Sequence, residues 1–320
     1  MKKLICLFLA LLLCTIGAIA AFGGKTTEKN YIKYVEFNVT QEALQSAVDY
    51  DIDAYEKGKK LSFIDILAYL GAKYGGDFKK YKSKDMSSFV EEVNNGASIK
   101  EITKDMKYFS YYQKAYGAVL NGMVGEYSAG NGDSKEKHYG IRWYCPIAKT
   151  FPYTGYDDFG AKRTFGYSRP HLGHDMMAAT GTPVIAVESG KVECMGWNRY
   201  GGWRIGIRSN DSQRYWYYAH LRQNRPYAEN LKEGDEVKAG QVIGYVGRTG
   251  YSDTENTNNI EESHLHIGLE LVFDESQKES DNEIWVNLFA LTNVLDPYRS
   301  EVVRNSETKE FKSVNQKIYE

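Results

Sequence analysis

Apolar positions change their spacing twice along this 320-residue chain. After Lys2 and Lys3, an apolar run occupies residues 4–22 and the chain turns polar at Lys25. Between 31 and 128 the apolar residues recur at helical spacing. Phe63, Ile66, Leu67 and Leu70 keep the i, i+3, i+4, i+7 pattern, Ser62 stands as N-cap, Asp65 falls in the first turn, and Gly75-Gly76 supplies a stop. Ser98-x-x-Glu101 has the form of a capping box ahead of Ile99, Ile102 and Met106. From about 143 the pattern becomes short apolar runs split by Gly, Pro and Asn turns. Residues 183–187, 204–207, 215–219 and 242–246 each read as a strand, and no long helical pattern separates them, which predicts an antiparallel sheet.

The chain therefore reads as α+β. The expected order is a signal peptide or transmembrane anchor at 1–24, a small all-α domain at 31–128, and a linker or loop at 129–142. A β domain at 143–300 and a polar C-terminal tail at 301–320 follow. The first segment has the positive n-region and apolar h-region of an export signal, with Ala18-Ile19-Ala20 as a small-residue cleavage site. At about 19 residues it also reaches the length that spans a bilayer, and it is long for an h-region, which favours the anchor. Either way the remainder is expected outside the cytoplasm, anchored by residues 4–22 or released after cleavage near Ala20.

Composition narrows the class without deciding it. The chain has 40 basic and 42 acidic side chains, 42% apolar and 26% charged residues, which suits a globular protein and excludes wholesale disorder. That near-neutral balance lacks the basic excess of a nucleic-acid partner. Cys6 and Cys14 lie in the apolar run, and Cys145 and Cys194 are expected as small core residues, since no Cys-x-x-Cys spacing suggests a thiolate metal site. The five aromatic residues between 108 and 116 fit packing between helices better than a sugar-stacking surface. The helical part has no paired-carboxylate signature of a glycosidase.

Scarce residues are unevenly placed. All six prolines fall after residue 145, and five of the six histidines lie within 171–266. They occur in three pieces: His171-Leu172-Gly173-His174-Asp175, Tyr218-Ala219-His220-Leu221, and His264-Leu265-His266-Ile267-Gly268. Residues i and i+2 of a strand share a face, so His264 and His266 look into one groove. His171 and Asp175 join them if the turn at Gly173 folds back. Two imidazoles and a carboxylate suit zinc, and three protein ligands leave a fourth position open, which is the catalytic pattern. Remaining imidazoles supply a general base and a donor to a developing oxyanion.

These segments, with Gly181-Thr182-Pro183-Val184, Gly190-Lys191-Val192, Gly234-Asp235 and Gly240-Gln241-Val242-Ile243-Gly244, resemble the LytM/lysostaphin-type zinc metallopeptidases. The resemblance covers about residues 165–272 and implies the duplicated-hybrid-motif fold and cleavage of peptide bonds in bacterial peptidoglycan. It implies one Zn2+ on His171, Asp175 and His266, with His264 and His220 as the non-ligand catalytic histidines. His264 is the favoured base because it shares a strand face with a ligand, and the two roles are open to exchange. His174 has no role in that pattern and is expected beside the site or incidental to it. Tyr217, Tyr218, Trp203 and Arg204 are candidate groove walls, and the polar loop 251–263 a further one. A non-catalytic envelope scaffold or hydrolase activator on the same fold is the alternative function, and it would be marked by lost ligands. Residues 233–241 also resemble half of a biotinyl or lipoyl carrier motif, but Lys238 does not occupy a hairpin tip.

Overall fold

The computed structural model describes residues 31–129, 136–278 and 280–314. Helical spacing in the first part yields α1 (Gln41–Glu56), α2 (Phe63–Tyr74), α3 (Ser83–Asn94), α4 (Ile99–Thr103) and α5 (Phe109–Leu120). Ser62 caps α2 by accepting the Ile64 N–H, and Gly75, at φ 65°, ends it in the left-handed conformation that glycine adopts without strain. Ser98 caps α4 through the Glu101 N–H, but that helix stops at Thr103, whose hydroxyl returns to the Ile99 carbonyl. Tyr112 and Tyr116 of α5 press on α2 so closely that a Cβ on Gly71 would sit 3.0 Å from both rings. Most of the aromatic run is thus helix packing.

Residues 129–142 are not a linker where they are described. β1 (Val124–Ala129) and β2 (Glu136–Ile141) form an antiparallel hairpin. Its polar sequence hid the anchor: the Tyr139 ring stacks on Tyr55 of α1 at 3.8 Å, and its hydroxyl donates to buried Asp51 at 2.7 Å. Burial raises the Asp51 carboxyl, partly offset by that bond and by the Phe63 N–H.

The second part contains β3 (Lys162–Phe165), β4 (Tyr167–Pro170), β5 (His174–Met177), β6 (Pro183–Ile185), β7 (Gly190–Asn198), β8 (Gly202–Ser209) and β9 (Arg214–Ala219). β10 (Glu236–Val237), β11 (Val242–Tyr245), β12 (His264–Leu271) and β13 (Ile284–Trp285) follow, then α6 (Phe289–Leu295) and the hairpin β14 (Glu301–Arg304) with β15 (Phe311–Val314). An antiparallel sheet runs β10-β7-β8-β9-β12-β13, with β5 also on β12. Each strand expected from the short apolar runs is present.

The C-terminal segment is a packed hairpin rather than a tail as far as residue 314. Val302 and Phe311 lie against the cluster of Tyr144, Val242 and Tyr245, and Ser313 accepts the Val242 N–H at 2.9 Å. The helical part and the sheet are tied by Arg214, which is 1% exposed. Its Nη1 donates to the Ala118 carbonyl of α5 at 2.9 Å, while Nε and Nη2 pair with Glu188. Cys145 is a buried free thiol, pushed up to about 11 by desolvation, and Cys194 is also free. Among the described residues no helix is long and apolar enough to cross a membrane. The expected segment at 1–24, its run at 4–22 and its cleavage site lie outside the described residues.

Candidate metal centre

The sheet register brings the three sequence pieces together. His266 stands directly opposite Asp175 on β5 and opposite Ala219 on β9. Directly opposed residues of an antiparallel pair place their side chains side by side. His264, two residues earlier, faces the same way, and His220 follows the end of β9 at φ 57°. That left-handed backbone is uncommon for a residue with a Cβ. It is held by the His220 N–H donating to the Gly201 carbonyl at 2.7 Å.

His171 arrives from the β3–β4 hairpin. Its N–H donates to the Ala161 carbonyl and its own carbonyl accepts the Gly160 N–H, both at 2.8 Å. The chain then turns at Gly173, where a Cβ would lie 2.5 Å from the Ile267 carbonyl oxygen and 2.6 Å from the His266 ring. Only a residue without a Cβ lets the turn pass that close.

His171, Asp175 and His266 present donor atoms to one point. His171 Nε2 is 3.0 Å from Asp175 Oδ1 and 3.0 Å from His266 Nδ1, and His266 Nδ1 is 2.9 Å from the same Asp175 oxygen. Asp158 Oδ1 accepts the Nδ1–H of His171 at 2.9 Å, which leaves Nε2 as the nitrogen turned toward the triangle. Asp175 Oδ1 accepts from both ring nitrogens, and with those two protons removed the three atoms offer their lone pairs to one place. The donor set, two nitrogens and one oxygen, fits a metal ion of the borderline kind.

The other two histidines flank this triangle and are each tied at Nδ1. His264 Nδ1 donates to the Glu262 carbonyl at 2.9 Å, and His220 Nδ1 to the Thr249 carbonyl at 2.8 Å. In each ring Nε2 is therefore the nitrogen not tied to a backbone carbonyl. His264 Nε2 lies 3.8 Å from Asp175 Oδ1, and the His220 and His264 ring centres are 4.8 Å apart. Burial, reinforced by the facing His264 and His266, holds His220 well below the ordinary imidazole value. For Asp175, burial favours the neutral acid. Hydrogen bonds from His171 and His266 outweigh it and hold the carboxyl far below its usual range.

His174 takes no part in the triangle. As the strand neighbour of Asp175 it points to the opposite face, where Nδ1 meets Thr292 Oγ1 at 2.9 Å and the ring packs edge-on against Phe289 of α6. Tyr217 sits beside the centre, its ring edge-on to His266 at 5.9 Å. Tyr218 does not line a groove: it is fully buried, and its hydroxyl accepts the Val187 N–H. Trp203 ties β8 to the polar loop through its indole N–H and Asn256 Oδ1, at 2.9 Å. In that loop Tyr251 forms the wall, edge-on to His220 and stacked on Phe165 of β3 at 5.2 Å.

Two residues that sequence spacing did not reveal also touch the triangle. Asp158 bonds His171, and Arg163 Nη2 bonds both Asp158 and Asp175 Oδ2, the latter at 3.2 Å. Asp158 lies 13 residues before its histidine, and no strand or helix period links the two.

The model of peptidase family M23 matches residues 169–279. The L-Ala--D-Glu endopeptidase of Bacillus subtilis is 42% identical over 124 residues, 39% of this chain and 36% of that protein. Lysostaphin of Staphylococcus staphylolyticus is 47% identical over 98 residues, 30% of this chain and 18% of that protein. The chain thus spans about a third or less of these relatives' length. A crystal structure from Ruminococcus gnavus, provisionally assigned as a glycyl-glycine endopeptidase lytM, superposes with a TM-score of 0.52 at 25% identity. That match covers 84% of this chain and 92% of that one, and so extends into the helical part.

Proposed function

We propose, from the premise that residues 169–279 are a peptidase family M23 domain, that this chain is a zinc-dependent endopeptidase. Its substrate would be the peptide part of bacterial peptidoglycan, and it would act outside the cytoplasm. The observation that carries the proposal is the triangle of His171, Asp175 and His266 flanked by two imidazoles, each tied to a backbone carbonyl at Nδ1. One Zn2+ held by these three residues would acidify a bound water and polarise a peptide carbonyl.

The chain's own residues supply the rest. His264, with Nδ1 anchored on the Glu262 carbonyl, directs a basic Nε2 toward the triangle and takes the proton of the attacking water. Returning that proton to the departing amine completes the hydrolysis. His220 is held neutral by burial, so its Nε2 carries a lone pair until it receives a proton. In the role of oxyanion partner it needs a proton transferred to Nε2, since its Nδ1–H is already given to the Thr249 carbonyl, whereas as base it acts directly. The base role is therefore assigned to whichever histidine loses more activity when replaced, and His264 is the first choice. Tyr251 and Tyr217 border the groove in which an extended peptide would lie.

The complete set of five residues weighs against a scaffold or activator without turnover. The test is clearing of purified cell walls by the zinc-loaded protein. Loss of turbidity that a chelator stops and added zinc restores is the expected result. Walls of every cross-bridge chemistry left intact by protein that holds zinc would refute the proposal.

A further inference from the structure

Two atoms of the candidate centre, His171 Nδ1 and Asp175 Oδ2, are each held from behind by residues outside the triangle. His171 Nδ1 meets Asp158 Oδ1 at 2.9 Å, and both residues are almost buried, with side chains 5% and 9% exposed. Asp158 Oδ2 is paired with Arg163. The same Arg163 Nη2 reaches Asp175 Oδ2 at 3.2 Å and lies 3.4 Å from His171 Nδ1. Resting on the reading of this site as a metal centre, we propose that Asp158 and Arg163 are positioning residues for it. Asp158 fixes the tautomer and ring plane of His171, and Arg163 occupies the second oxygen of Asp175 so that Oδ1 alone faces the triangle.

The physical case is one of proton and charge placement. A carboxylate has no proton to give, so its contact with Nδ1 requires the N–H there, and Nε2 is the nitrogen left to receive an ion. Carboxylates behind a ligating imidazole also raise its basicity and fix its rotation. Asp175 left alone offers two equivalent oxygens and can bind one ion through both. A guanidinium on Oδ2 removes that option, because Arg always carries its charge and its planar donors match a carboxylate edge. Arg163 further offsets the second negative charge that Asp158 brings.

Placement on the chain gives both residues a second tie. Arg163 belongs to β3, whose Phe165 stacks on Tyr251, the residue edge-on to His220. One short hairpin thus braces the metal ligands and one wall of the groove. The His171 N–H, bonded to the Ala161 carbonyl, keeps ligand and hairpin in register.

The test uses the whole purified protein, with zinc affinity measured by competition against a chromogenic chelator and fold checked by the melting midpoint of metal-free protein. Asp158→Ala is expected to weaken zinc binding about 10–100-fold. Asp158→Asn keeps an acceptor for Nδ1–H but loses the charge, and is expected to recover part of that loss. Arg163→Met is expected to change the visible spectrum of the cobalt(II)-substituted protein from strong four-coordinate bands to weaker five-coordinate ones. An Asp158→Ala affinity within threefold of wild type overturns the proposal. If that variant does not fold, Asp158→Asn decides: an affinity within twofold of wild type, with an unchanged cobalt spectrum for Arg163→Met, overturns it. Failure of the wild-type protein to bind zinc would instead refute the metal reading beneath it.

Discussion

His266 Nδ1 and Asp175 Oδ1 approach to 2.9 Å because their residues stand directly opposite one another on antiparallel β12 and β5. Two of the three candidate ligand positions are thereby fixed by sheet register, and a loop need only deliver the third, His171. Removal of one member should empty the site while the sheet persists. His266→Ala is expected to lose stoichiometric zinc, read by atomic absorption after dialysis, with a far-UV spectrum like that of wild type.

His264 lies outside the triangle, its Nε2 3.8 Å from Asp175 Oδ1. Replacing it should separate binding from turnover. His264→Ala is expected to retain one zinc per chain and lose about 10²–10⁴-fold in kcat, the usual contribution of a positioned general base. Retention of full activity by that variant would transfer the base role to His220.

Gly173 has no room for a Cβ against the His266 ring and the Ile267 carbonyl. Gly173→Ala should therefore push the His171 turn away from β12. Overpacking of this kind typically costs about 1–3 kcal/mol. The expected result is a lower melting midpoint together with weaker zinc binding, measured by chelator competition. A glycine with open space around it, such as Gly58 just past the end of α1, is the control, its left-handed φ being strained by a Cβ that meets no neighbour.

Glu270, on β12 four residues past His266, is 2% exposed, and its Oε1 has no hydrogen-bond partner among the described residues. Desolvation, reinforced by Glu283, raises its carboxyl to about 7. The sign follows from linkage: the folded state holds this proton more tightly than the unfolded chain. The contribution to stability is complete below the ordinary glutamate value near 4.5 and is lost as pH rises through about 7. The size is of order 3 kcal/mol. Glu270→Gln is expected to flatten the decline in melting temperature between pH 5 and pH 8 by several degrees. An identical decline in both proteins would place the effect elsewhere.

How much of this was legible in the sequence follows from the range of each signal. Period-2 and period-3.6 patterns act locally, so the helix capped by Ser62 and the strand carrying His264 and His266 could be read residue by residue. The centre itself was partly legible because i and i+2 on a strand share a face, and because four of five clustered histidines stood where the resemblance required them. Contacts with no period were hidden. The β1–β2 hairpin is polar and holds to α1 through Tyr139, 88 residues from Asp51. Asp158 and Arg163 belong to an irregular turn and a short hairpin, and only the tertiary fold brings them behind His171. The C-terminal hairpin looked like a tail because only Val302 and Phe311 of its mostly polar residues pack on the core cluster.

Mass spectrometry of peptidoglycan fragments tests the central claim most directly. Purified walls with different stem and cross-bridge peptides would be incubated with zinc-loaded protein, with chelator-treated protein and with His264→Ala. The account predicts new peptide fragments, each gaining one water at a single defined bond, from the zinc-loaded wild type only and again after zinc is returned. Fragments of equal yield from the chelated protein, or none from any wall while zinc is bound, would contradict it.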